Sequence, residues 1–209
     1  MPTIAAAATK GGTGKSSLIA NLAVRASQDY AVSIIDYDPQ RSLTRWHELR
    51  GAPENPAAHD GTKRGPHADV PALAGNADWV FLDLPPAIQH IIRDGVKHAD
   101  LVLIPIKASP LDLDAIGAVV ELCQQHKRPF RFVLSMYDPK WKLSETAFSY
   151  LEKVVPGHTL REVFGYRQAY VGAMIDGRTG AEFDGDAKQA RAAKAEIDAL
   201  WAAVRKVAK

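Results

Sequence analysis

The 209-residue sequence predicts an α/β protein built on a doubly wound, mostly parallel sheet flanked by helices. Short apolar runs alternate with stretches of helical spacing, a glycine-rich loop joins the first run to the first helix, and carboxylates stand at the ends of two later runs.

The first run, Thr3 to Ala8, is alanine-rich and reads as a strand mainly because of its C-terminal neighbour, the segment ATKGGTGKSS (Ala8 to Ser17), which opens the helical pattern SSLIANLAVRA. Ala31 to Asp36 (AVSIID), Trp79 to Leu84 (WVFLDL), Leu101 to Ile106 (LVLIPI) and Phe130 to Leu134 are continuous apolar runs, as expected of strands covered on both faces. Gly51 to Asn76 is rich in Pro, Gly and His and has little periodicity, so it reads as an irregular connection with room for one short helix. Neither of its flanks could close a core alone, and residues 1–209 are therefore expected to form one domain. From Asp186 to Val207 the residues Ala190, Ala193, Ile197, Leu200, Trp201 and Val204 recur at helical spacing, predicting a helix packed on the sheet. A basic amphipathic helix can also bind membrane, but this alanine-rich face offers little bulky apolar area to lipid.

Composition sets outer limits. The formal charge of +2 is too small to announce a polyanion-binding protein, so any such contact must be local. A single cysteine, Cys123, excludes a disulfide framework or multi-thiolate metal site within one chain and fits a reducing cytoplasm. The N-terminal run MPTIAAAA lacks a basic start, and no apolar run approaches the roughly 18 residues of a membrane span. A cytoplasmic protein is expected.

The loop Gly11–Gly12–Thr13–Gly14 can turn consecutive backbone N–H groups around an anion, with the next helix N-terminus adding its dipole. Lys15 would then lie against β- and γ-phosphates, and the Ser16 hydroxyl would complete a Mg²⁺ shell. The strict pattern G-x-x-x-x-G-K-[ST] wants glycine where this chain has Thr9. The sequence has instead a second lysine, Lys10, directly before the glycines.

These residues resemble K-G-G-x-G-K-[ST], the deviant Walker A motif of the ParA/MinD ATPases. The resemblance implies a P-loop fold, ATP and Mg²⁺ as cofactors, and nucleotide contacts along Lys10, Gly11, Gly12, Thr13, Gly14, Lys15, Ser16 and Ser17. It also implies that Lys10 reaches across a dimer interface to the phosphates held by the other subunit, making ATP the glue of a homodimer. Asp83 then reads as the Walker B acid, acting on Mg²⁺ with Ser16, and Asp36 supports the same shell. Asp38 matches the family aspartate that positions the attacking water, so the catalytic set is Lys10, Lys15 and Asp38.

The likeness covers most of the chain. Asp38–Pro39–Gln40–Arg41–Ser42 with Trp46 looks like the D-P-Q-x-S-x-x-x-W switch region of small, ParF-like partition ATPases, and Ser109–Pro110–Leu111–Asp112 resembles their S-P-L-D segment. Ser135–Met136–Tyr137–Asp138 occupies the place where the family contacts the base, with Met136 the candidate. Arg167–Gln168–Ala169–Tyr170 with Gly177, Thr179, Gly180 and Glu182 resembles the late R-x-A-Y…G-x-T/S-x-x-E pattern, and Arg167 is the candidate DNA contact.

The function implied is a ParA-type ATPase whose ATP-bound dimer binds nonspecific DNA. Stimulated by a ParB-like or small DNA-binding adaptor, it would partition or position a plasmid, chromosome region or other cargo. The sequence begins at its phosphate loop, so no N-terminal operator-reading domain is expected. The alternatives are a MinD-like membrane-associated ATPase and an ATP-dependent metabolic enzyme of the same superfamily. No paired cysteines are present to hold an iron–sulfur cluster between subunits.

Overall fold

The computed structural model describes residues 1–109 and 116–208. Among the described residues seven strands form one sheet: β1 (Thr3–Ala6), β2 (Val32–Asp36), β3 (Ala57–Asp60), β4 (Trp79–Asp83), β5 (Leu101–Lys107), β6 (Phe130–Tyr137) and β7 (Phe164–Gly165). Their order is β3-β2-β4-β1-β5-β6-β7, and every pairing is parallel. The described helices are α1 (Lys15–Ser27), α2 (Ser42–Leu49), α3 (Pro66–Ala72), α4 (Gln89–His98), α5 (Gly117–Gln125), α6 (Lys142–Val154), α7 (Gln168–Ile175) and α8 (Ala187–Val207), with a 3₁₀ turn at Gly180–Glu182.

Alternation along the strands divides the core. Ile4 and Ala6 of β1 point into one layer, where α1, α2, α7 and α8 pack, while Ala5 and Ala7 point into the other with α3 to α6. Central strands covered on both faces have to be apolar throughout, which is why they read as unbroken runs. Pro105, lacking an N–H, lies in β5 beyond Leu103, where the pairing with β1 stops.

The sheet departs from expectation at its two borders. Gly51–Asn76 contains α3 and also the edge strand β3, whose sequence AAHD is half-exposed and pairs only with β2. β7 is a two-residue edge on β6, and β6 itself runs on to Tyr137, three residues past the expected end. Pro110, Leu111 and Asp112 of the S-P-L-D segment lie outside the described residues.

The C-terminal helix packs on the sheet. Asp186 caps α8 by accepting from the N–H groups of Lys188 and Gln189, and Ala193, Ile197, Leu200, Trp201 and Val204 are buried. The Trp201 ring meets Trp79 edge-on at 4.8 Å and lies 6.1 Å from Phe81 and 6.3 Å from Tyr30. Such an aromatic cluster combines large apolar burial with favourable ring geometry. Trp201→Ala is therefore expected to cost about 3–5 kcal/mol, read as a lower urea midpoint.

Candidate nucleotide site

β2, β3 and β4 lie on one side of β1 and β5, β6 and β7 on the other, so the crossovers reverse direction beside β1 and the loop after it sits at the topological switch point, where ligands of open α/β sheets bind. Gly12 (φ 71°) and Gly14 (φ 90°) take left-handed conformations, and Gly14 caps α1. Gly11 and Gly12 are exposed, leaving one side of the loop open. On its other side the α-carbon of Gly14 faces Phe164 and Ser135, with 3.8–3.9 Å to a methyl group built there.

Lys15 is only 6% exposed, and its ammonium donates to the Lys10 carbonyl at 3.4 Å, folding the side chain back over the loop. Burial lowers its pKa, while the charges of Asp83 and Asp38 work in the opposite direction. Ser16 Oγ donates to Asp83 Oδ2 at 2.6 Å. Asp83 Oδ1, also buried, has no hydrogen-bond partner among the described residues, and neither does Thr13 Oγ1. Burial pushes the Asp83 carboxyl up to about 7 against the Ser16 hydrogen bond, and Asp36, its register partner on β2, pushes it the same way. A buried acid with one bare oxygen, beside a serine hydroxyl and a glycine-lined anion cradle, suits a hard divalent cation that takes oxygen ligands.

Asp36 has a second task. Its carboxylate accepts from the N–H of Asp38 at 3.0 Å and from the N–H and hydroxyl of Thr44 at 2.9 and 3.0 Å, fixing the segment that leads into α2. Asp38 lies two residues beyond β2, half-buried, with Oδ1 accepting from the Gln40 N–H. Ser17 is half-buried on the first turn of α1, where its carbonyl accepts from Asn21. Met136 stands at an irregularity of β6 with φ 52°, a left-handed conformation unusual for a side chain of this kind. Lys10, Gly11 to Ser17, Asp36, Asp38 and Asp83 are thus gathered at the C-terminal end of the sheet.

Arg167 belongs elsewhere. Its guanidinium donates to Glu196 at 2.6 Å, and Glu196 also accepts from the Tyr170 hydroxyl and the Gly165 N–H. The rest of the late pattern also makes contacts within the chain: Thr179 and Glu182 form a capping box, Glu182 takes a two-pronged contact from Arg50, and Gly177 (φ 71°) presses on the Leu49–Arg50 backbone. Sequence reasoning missed Lys107, whose ammonium lies beside Gly12. The signal was available, because Lys107 ends an apolar strand at the ligand-binding edge just as Asp36 and Asp83 do.

The fold and this loop define a phosphate-loop nucleotide-binding protein. Residues 4–177 match the CobQ/CobB/MinD/ParA nucleotide binding domain, and the chain belongs to that family. It is 28% identical over 187 residues to the Maintenance of carboxysome distribution protein A of Halothiobacillus neapolitanus, covering 84% of each chain. It is 34% identical over 120 residues to Protein ParA of Rhizobium radiobacter, covering 56% of this chain and 54% of that one. In fold it is similar to a variant of McdA from Cyanothece in complex with ATP, with a TM-score of 0.75 at 20% identity and 96% of each chain covered.

If Lys15 is the lysine of the phosphate cradle, Lys15→Ala should weaken binding of a fluorescent adenine nucleotide by at least about tenfold, since one charge-assisted contact is lost from a buried site. Titration of the two proteins side by side checks this.

Proposed function

We propose that the protein is a ParA-type ATPase that dimerises with ATP and Mg²⁺, binds nonspecific DNA as that dimer, and positions a cargo through adaptor-stimulated hydrolysis. The observation that carries the reading is the Ser16–Asp83 hydrogen bond beneath the Lys10-to-Lys15 loop, with the second Asp83 oxygen bare. Ser16 and Asp83 would hold Mg²⁺, with Asp36 behind them, and the bound ion would neutralise charge on the phosphates. Backbone N–H groups from Gly11 to Ser17 and the Lys15 ammonium would hold the phosphates themselves. Met136, at the end of β6 on the side away from the carboxylates, would meet the base.

In this reading Lys10 reaches the nucleotide of the second subunit, and Asp38 positions the attacking water. Water alignment that needs a closed dimer makes hydrolysis slow until a ParB-like or other small DNA-binding adaptor stabilises that state. The protein would be cytoplasmic and nucleoid-associated when ATP-bound. The buried apolar stripe of α8 favours this over membrane attachment, and no described helix is long and apolar enough to cross a membrane.

Lys10→Ala should bind nucleotide as a monomer and fail to dimerise with ATP and Mg²⁺. Light scattering distinguishes this from a normal ATP dimer, which would remove the cross-subunit role.

DNA would be met by the basic C-terminal half, where Lys188, Arg191 and Lys206 are exposed and Arg167 is held by Glu196. Dimerisation puts two copies of this face on one body, roughly doubling the phosphate contacts. Mobility shifts on two unrelated duplexes should show binding in ATP, none in ADP, and a steep loss with salt. Lys188→Glu with Arg191→Glu tests the surface more cleanly than Arg167→Glu, which would set two carboxylates against each other. Equal binding in ADP would overturn the proposal.

A further inference from the structure

Lys107 closes β5, the strand beside β1, and is half-buried. A methyl group built on Gly12 would lie 3.7 Å from its ammonium nitrogen, so any larger side chain at Gly12 would collide with it or displace it. The Lys107 ammonium forms no hydrogen bond or ion pair among the described residues, whereas its backbone carbonyl accepts from the Ser109 N–H. An ammonium partly withdrawn from water without a carboxylate is costly, and the cost is recovered when an anion joins it. Its register partner on β6, Ser135, has a buried hydroxyl that also lacks a partner among the described residues, and Ser135 lies against Gly14 of the same loop.

The charges around the loop give this lysine a distinct task. Lys15 feels Asp83 and Asp38, and Asp36 is paired with Asp83 across the strands. Part of the Lys15 charge is therefore already spent on carboxylates before a phosphate arrives. Lys107 stands on the other side of β1 from those carboxylates, so it does not share them with Lys15.

We infer that Lys107 is an anion-binding residue of the phosphate loop, a further lysine whose ammonium adds to that of Lys15 on the polyphosphate of a bound nucleotide. This rests on reading residues 11–16 as a phosphate loop. Gly12 then serves two ends: its left-handed backbone shapes the cradle, and its lack of a side chain leaves Lys107 in reach of it.

The experiment is calorimetric titration of the full chain with ADP and with inorganic tripolyphosphate, without divalent metal, at low and high salt. Lys107→Gln is expected to weaken tripolyphosphate binding by about tenfold at low salt, by less at high salt, and to flatten the dependence of log Kd on log salt. Lys107→Met should do the same, with a urea midpoint near that of the unmodified protein, and Lys107→Arg should restore most of the affinity. Unchanged affinity in Lys107→Gln and Lys107→Met, while Lys15→Ala loses it, would overturn the inference and leave the phosphate loop standing. A loss of affinity with the salt dependence unaltered would overturn it too, since the lysine would then only be propping the loop. If Lys15→Ala also binds normally, the phosphate-loop reading falls and the Lys107 inference with it.

Discussion

Two carboxylates, Asp36 and Asp83, face each other at the ends of neighbouring strands, each only 1% exposed. Burying two like charges side by side is unfavourable: burial raises the proton affinity of both, and the charge of Asp36 raises that of Asp83 further. The chain manages this by giving them different partners. Asp36 turns to the backbone and hydroxyl of the residues just after it and anchors the start of α2, whereas Asp83 takes the Ser16 hydroxyl and anchors the start of α1. The loop between β1 and α1 is therefore held at its helical end by an acid from β4, and the segment after β2 by an acid from its own strand. One buried oxygen of Asp83 is left over, without a hydrogen-bond partner among the described residues.

Much of this was legible in the sequence because the physics that builds the central sheet leaves continuous apolar runs. All five expected strands are present, and the glycine loop and its carboxylates stand at the same end of them. β3 escaped because its AAHD sequence lies at an edge with little to bury, and β7 because two residues carry no pattern at all. Arg167 could not be placed from sequence, since its partner Glu196 is 29 residues away along the chain. Lys107 was overlooked for a related reason: a lysine that ends a strand is ordinary until the fold brings a bare glycine against it.

The last third of the chain is a brace for the nucleotide end of the sheet. Glu196 gathers Arg167, Tyr170 and Gly165 from three consecutive pieces of backbone, and Asn21 on α1 accepts from Gly180 while donating to Ser17. The Trp46 indole donates to the Arg178 carbonyl, joining α2 to the same region. The pattern late in the sequence thus does its work through α1 and α2, whose first turns carry the groups at the loop.

The two borders of the sheet have a bearing on how such molecules meet one another. At one border β3 has four residues and ends in His59 and Asp60; at the other, β7 has two, and the Gly165 N–H is already taken by Glu196. Neither border offers the long row of unpaired backbone groups that lets sheets join edge to edge. Crowding of these chains in a cell therefore has no ready route, edge to edge, to a continuous intermolecular ribbon.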